Sequence, residues 1–165
     1  MIRARLVAAF VAASVLLMVS GASAQEEEVE GALLLIMDSS GSMNETDDAG
    51  TPLIQSAKQA LNEVVSSLPE GTPVGLRVYG HRVPNSNRAE GCRDTELIVP
   101  VGPLDEAQMR SAIDGYDAKG WTPIGLSLQE GAEDLPPEGP RTIVLVSCET
   151  PEKILSRGPH RRRGV

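Results

Sequence analysis

The stretch Gly31-Ala32-Leu33-Leu34-Leu35-Ile36-Met37-Asp38-Ser39-Ser40-Gly41-Ser42-Met43 decides the fold. Its apolar run, Ala32 to Met37, is too short to span a membrane and suits a strand buried on both faces. The run ends abruptly in Asp38, Ser40 and Ser42, oxygen-bearing side chains at alternate positions with Gly41 among them. A buried parallel strand that discharges into a small polar turn places those oxygens at the carboxyl end of a sheet, where open α/β folds hold their ligands. One carboxylate and two hydroxyls are hard donors of the kind that Mg²⁺, Ca²⁺ or Mn²⁺ takes. The alternative is a turn in which Asp38 and the serines cap backbone groups and hold nothing else.

Towards the N-terminus, Gln25 to Glu30 is rich in glutamate and reads as a solvated linker. Before it, Arg3 and Arg5 precede an apolar segment from Leu6 to Val19, and Ala22-Ser23-Ala24 offers small residues for cleavage. Residues 1–24 are therefore expected to be a secretory signal peptide, with a membrane anchor as the alternative. On the first reading no membrane span survives cleavage. The mature protein is then secreted or periplasmic, where divalent cations are plentiful and thiols oxidise.

Towards the C-terminus, Asn44 to Gly50 is a polar loop. Thr51-Pro52 reads as a helix start, with Thr51 as N-cap and Pro52 in the first helical position. Ile54, Ala57, Leu61, Val64 or Val65, and Leu68 mark the buried face of that helix. Val74, Leu76 and Val78 alternate as a second strand, and Gly80 to Asp94 is a long polar loop. Leu97 to Val101 is a short strand that Pro100 assigns to an edge. Asp105 with Gln108, flanked by Leu104 and Met109, forms a capping box and staple for a second helix. In Gly120-Trp121-Thr122-Pro123, Thr122 is the expected N-cap of a third helix and Pro123 its first residue. Thr142 to Val146 is a buried parallel strand ending in Ser147. This order of elements implies an α/β protein built on a mostly parallel sheet.

Asp38-x-Ser40-x-Ser42 after an apolar strand resembles the metal-ion-dependent adhesion site (MIDAS) of von Willebrand factor A (vWA) domains. The likeness extends to Gly120-x-Thr122-Pro123, which matches the threonine loop of that family. Gly75-Leu76-Arg77-Val78-Tyr79-Gly80-His81 and Asp94-Thr95-Glu96-Leu97 are similar to segments of its secreted bacterial members. The resemblance implies a three-layer, doubly wound, Rossmann-like fold over residues 31–147. It also implies a divalent cation, Mg²⁺ first and Ca²⁺ or Mn²⁺ next, held by Asp38, Ser40, Ser42 and Thr122. A position left open on such a cation takes a carboxylate from a protein partner.

The third loop departs from the family. Its usual Ser-Asp-Gly is here Ser147-Cys148-Glu149, and a thiol is a poor donor to a hard cation. Acidic residues dominate up to Ser147, whereas residues 148–165 form a basic tail containing Arg161-Arg162-Arg163 without helical or strand periodicity. The expectation is a partial vWA domain whose last strand and helix units are truncated or frameshifted; a genuine tail for anionic surfaces is the alternative. Cys92 and Cys148 are the two cysteines, and whether they pair stays open.

The 165 residues allow one domain of ordinary size, and a formal charge of −8 argues against a nucleic-acid partner. No Gly-x-Ser-x-Gly elbow, phosphate-binding loop, His-Glu-x-x-His or Cys-x-x-Cys is present, so an enzyme is not expected. The leading function is an extracytoplasmic protein-binding module that uses a divalent cation. The alternative is a structural or scaffold domain, or an inactive fragment, with a degenerate metal site. Partner identity and oligomeric state are not encoded in these patterns.

Overall fold

Strand β1 (Ala32–Asp38) alternates its side chains between two cores. Leu35 and Met37 join Leu61, Val65, Leu76, Val78, Met109 and Ile113 on one face. Ala32, Leu34 and Ile36 join Tyr79, Ile124 and Leu135 on the other. Both faces of the strand are buried, as its unbroken apolar sequence requires.

The computed structural model describes residues 31–148. After β1 come α1 (Leu53–Ser67), β2 (Pro73–Tyr79), α2 (Arg88–Gly91), β3 (Thr95–Pro103), α3 (Glu106–Asp114), α4 (Ile124–Asp134) and β4 (Arg141–Val146). Helices α1 and α3 supply Leu61, Val65, Met109 and Ile113 to the first core, and α4 supplies Ile124 to the second. The result is the expected three-layer α/β architecture. The segments expected to be a signal peptide and an acidic linker, and all but Cys148 of the expected basic tail, lie outside the described residues.

The sheet order is β3-β2-β1-β4. β1 pairs in parallel with β2, Leu35 opposite Leu76, and with β4, Leu35 opposite Val144. β3 runs antiparallel to β2 at the edge that Pro100 implied. The chain winds outward from β1 through β2 to β3, then returns to place β4 on the other flank of β1. The carboxyl ends of β1 and β4 therefore flank a topological switch point, the crevice where such sheets bind ligands.

Several expectations need correction. Helix α1 begins one residue later than expected: Pro52 is extended (ψ 133°), and the Leu53 amide donates to Glu45 O at 2.8 Å. Helix α4 is shifted in the same way, with Pro123 as its N-cap and Thr122 one position before it. In both cases proline fixes φ without closing a side-chain cap. The loop after β2 contains the short helix α2, capped by Asn87 Oδ1 accepting from the Glu90 amide. Asp105 caps α3 as expected, accepting from the Gln108 amide at 2.9 Å. β4 is not fully buried: Arg141 and Thr142 are exposed and Ile143 to Val146 half-buried. Among the described residues only β1 pairs with it.

One ionic feature lies inside the second core. Arg77, on the α4 side of β2, is only 5% exposed. Its guanidinium donates to Asp134 at 2.7 and 3.0 Å and to Glu130 at 2.7 Å, both on α4, and to Thr95 Oγ1 at 3.1 Å. The donors of this buried fork are thus matched by acceptors, the condition under which an arginine is tolerated there.

Candidate metal centre

Asp38 ends β1 with no exposed surface. Its Oδ1 accepts from the Ser40 amide at 2.8 Å and its Oδ2 from Ser147 Oγ at 2.6 Å. The first contact is the Asx-type turn that reverses the chain at the sheet edge. The second reaches across the switch point to the residue after β4. The Ser40 and Ser42 hydroxyls lie 3.2 Å apart as the chain enters a single 3-10 turn over Gly41–Asn44. Ser42 Oγ is in turn 3.4 Å from Cys148 Sγ. Asp38, Ser40, Ser42, Ser147 and Cys148 are therefore joined in one run of contacts, the Asp38–Ser40 link passing through the Ser40 backbone amide.

Thr122 arrives by backbone pairing. Ser40 forms a parallel bridge with Gly120, whose carbonyl accepts from the Gly41 amide at 2.8 Å. The Lys119 amide donates to Ser39 O at 2.8 Å and the Gly120 amide to Gly80 O at 2.7 Å. These bonds lock the segment bearing Thr122 against the serine turn. The approach is close enough to need glycine on both sides. A Cβ on Gly120 would collide with Val83 O, and one on Gly80 (φ +73°) would lie 3.0 Å from Ser40 Cα. Thr122 itself is half-buried and makes no side-chain hydrogen bond among the described residues. Because Pro123 rather than Thr122 is the cap, the threonine hydroxyl is not spent on α4.

The loop between β2 and β3 braces this arrangement. Buried Asp94 accepts from the amides of Arg82 and Val83 at 2.8 and 2.9 Å and from Arg82 Nε at 2.8 Å. Burial alone would raise its pKa, but those amides and the guanidinium together hold it below the ordinary carboxylate value. Trp121, beside Thr122, donates from its indole to Asn85 O at 3.0 Å and packs on Gly91, with the Arg88 guanidinium 5.4 Å from its ring centroid.

Sequence reasoning did not reveal three parts of the site. Ser147 was the end of a strand, not the orienting partner of Asp38. Asp94 was a loop residue, although an aspartate twelve positions after Arg82 carries no periodic signal. Tyr79 was a strand residue. Its hydroxyl is buried beside Asp38 and Ser147, and burial together with the Asp38 charge pushes its pKa above the ordinary value. Cys92 and Cys148 do not pair; both thiols are free and exposed. Cys148 also borders a cavity of about 240 Å³ lined by Met43, Leu53, Ala57 and Val146. A groove of about 500 Å³ between α1 and α3 lies away from the cluster, and its Lys58 and Arg110 are already partnered.

Residues 33–150 match the von Willebrand factor type A domain family model. The chain belongs to this family. Two relatives come from Bacillus subtilis strain 168. The uncharacterized protein YwmC is 28% identical over 127 residues, covering 74% of this chain and 56% of its own length. The uncharacterized protein YwmD is 30% identical over 109 residues, covering 65% and 48%. The chain thus spans about half the length of both relatives. A solved structure, von Willebrand factor type A from Catenulispora acidiphila, aligns with a TM-score of 0.53 and 20% identity over 77% of this chain and 29% of that one. It shares the vWA fold. Domains of this family commonly bind other proteins, and among the described residues no helix is long and apolar enough to cross a membrane.

Proposed function

We propose that this vWA domain is an extracytoplasmic binding module that holds a divalent cation at Asp38, Ser40, Ser42 and Thr122 and uses it to capture an acidic group of a partner protein. One observation carries the reading: a buried carboxylate and two adjoining hydroxyls meet at the switch point, with the Thr122 segment pinned beside them by backbone hydrogen bonds. Asp38 would supply charge, Ser40 and Ser42 direct oxygen donors, and Thr122 a hydroxyl from the opposite loop. A bound cation would supply an electrophilic point for a partner carboxylate, and the sparse charge of the donor set leaves it net positive. The part-buried Ser147–Asp38 bond would orient the carboxylate, as outer-shell partners do. The export half of the proposal rests on the leader-like residues 1–24.

The test is binding of the purified chain to immobilised peptides that carry Asp or Glu, compared with their Asn and Gln counterparts. Retention of the acidic peptides, lost in chelator and in Asp38→Asn, supports the module; retention unchanged by chelator contradicts it. A second reading, a scaffold domain with no cation, is favoured by Cys148 in the third loop. It predicts that Asp38→Asn changes stability and leaves peptide binding untouched.

A further inference from the structure

The chain is acidic, with a formal charge of −8, yet its cations are not spread evenly. Lys58, Arg77, Arg82 and Arg110 each form a salt bridge with a carboxylate. Arg88, Arg93, Lys119 and Arg141 form none among the described residues. Arg141 lies opposite Ala32 at the start of β1, the end of the sheet away from Asp38. The other three belong to the two segments that frame the crevice, the loop after β2 and the run that leads to Thr122. The Lys119 amide donates to Ser39 O at 2.8 Å, which sets that residue beside the serine turn.

Arg88 is the best seated of the three. Its guanidinium lies 5.4 Å from the ring centroid of Trp121, the residue before Thr122. That ring is itself fixed: its indole N–H donates to Asn85 O at 3.0 Å, and a Cβ on Gly91 would collide with it. A guanidinium resting on an aromatic face is partly ordered before it binds, and its planar fork matches a carboxylate. Arg88 is exposed and donates no side-chain hydrogen bond among the described residues. Glu90, the acid nearest to it in sequence, is engaged by Asn87 Nδ2 at 2.8 Å. The fork is held in place and unspent.

The opposite rim has the opposite sign. The loop that leads from the serine turn to α1 carries Glu45, Asp47 and Asp48, all exposed. It is joined to the Lys119 segment by Asn44 Nδ2, which donates to Ala118 O at 3.0 Å. A ligand crossing the crevice therefore meets positive charge on the Trp121 side and negative charge on the α1 side. Such a field favours one orientation of a charged partner and opposes the reverse.

We propose that Arg88, seated on Trp121, determines the specificity of this site, and that the partner it selects is an acidic segment with two carboxylates, one for the cation and a second for Arg88. The proposal rests on the cation-holding reading given above and names the chemistry of the partner. Lys119 and Arg93 add to the positive field, but only Arg88 is seated on a ring. Because the two rims differ in sign, the second carboxylate is accepted on one side of the first and not on the other.

The experiment measures the affinity of the full chain, in saturating Mn²⁺, for fluorescent peptides by anisotropy. One peptide carries a single Asp among Gly and Ser; the others add a second Asp a few residues before or after it. The expected result is that a second Asp on one side alone tightens binding about fivefold, the upper end for an exposed ion pair. Arg88→Gln removes that gain and leaves the single-Asp peptide unaffected. Arg141→Gln, the same loss of charge at the far end of the sheet, preserves the gain. High salt shrinks the gain, as it must for an exposed pair. A gain that survives Arg88→Gln, an equal loss in Arg141→Gln, or equal affinity for one-Asp and two-Asp peptides overturns the proposal and leaves the cation-holding reading standing. No Mn²⁺-dependent binding of any of these peptides by the folded chain overturns that reading and the proposal together.

Discussion

Ser147 Oγ donates to Asp38 Oδ2 over 2.6 Å, tying the residue after β4 to the last residue of β1. The bond crosses the point where the winding of the sheet reverses, so it joins the two halves of the fold at the place where a ligand would sit. A hydrogen bond to a buried carboxylate is worth about 1.5–3 kcal/mol. Ser147→Ala is therefore expected to cost about 2 kcal/mol in urea unfolding while leaving cation binding detectable, because Asp38 keeps its charge and its bond to the Ser40 amide. Complete loss of binding in a folded Ser147→Ala chain would make Ser147 a ligand rather than an orienter.

Gly120 packs against the backbone of the loop after β2. A methyl group there meets Val83 O and Gly80 O, both backbone atoms that cannot turn aside. Gly120→Ala is expected to destabilise the chain by about 1–3 kcal/mol, the usual range for overpacking. It should also move the Thr122 segment off Ser40, so that cation affinity falls further than Thr122→Ala alone lowers it. Calorimetric titration of the two variants side by side checks the order.

Arg77 gives a prediction that concerns stability alone. Removing it leaves Asp134, with its side chain only 12% exposed, as an unpaired buried charge. Arg77→Leu should cost about 3–5 kcal/mol, and Arg77→Leu combined with Asp134→Leu should recover most of that loss. Denaturant midpoints of the single and double variants decide the matter. An additive double variant would mean that the two side chains are not coupled.

The pH dependence follows from His81. Burial disfavours its charged form and lowers its pKa below the ordinary 6.5, against the opposing pull of Asp94 and Glu96. Its ring meets Tyr116 edge-on at 4.7 Å, and its Nε2 lies 3.2 Å from Glu96. The unfolded chain thus binds this proton at a higher pH than the folded chain does. The His81 share of stability is complete above about pH 6.5 and is lost as pH falls through the lower folded value. Thermal midpoints should fall over that acidic window, and His81→Gln should flatten the slope.

Local chemistry made much of this legible. The Ala32 to Met37 run suited a strand with two buried faces, and the Asp38, Ser40 and Ser42 spacing marked its end as polar. Pro100 placed β3 at an edge and Asp105 capped α3, because both act through their immediate neighbours. The errors arose where distant contacts decide. Pro52 and Pro123 looked like first helical residues, yet each lies one residue before its helix: Pro52 is extended and bridged to Thr46, and Pro123 has an intermediate ψ of 53°. β4 has the composition of a central strand but pairs only with β1 among the described residues. Asp94, Ser147 and Tyr79 reach the site through tertiary packing, which leaves no periodic trace in the chain.

The most direct test of the account is a calorimetric titration of divalent cations, Mg²⁺, Ca²⁺ and Mn²⁺, into the purified chain and into Asp38→Asn and Ser42→Ala. The account predicts saturable binding at one site, abolished by Asp38→Asn and weakened by Ser42→Ala. A folded chain that binds none of these cations, or binds them equally well with Asp38→Asn, would contradict it.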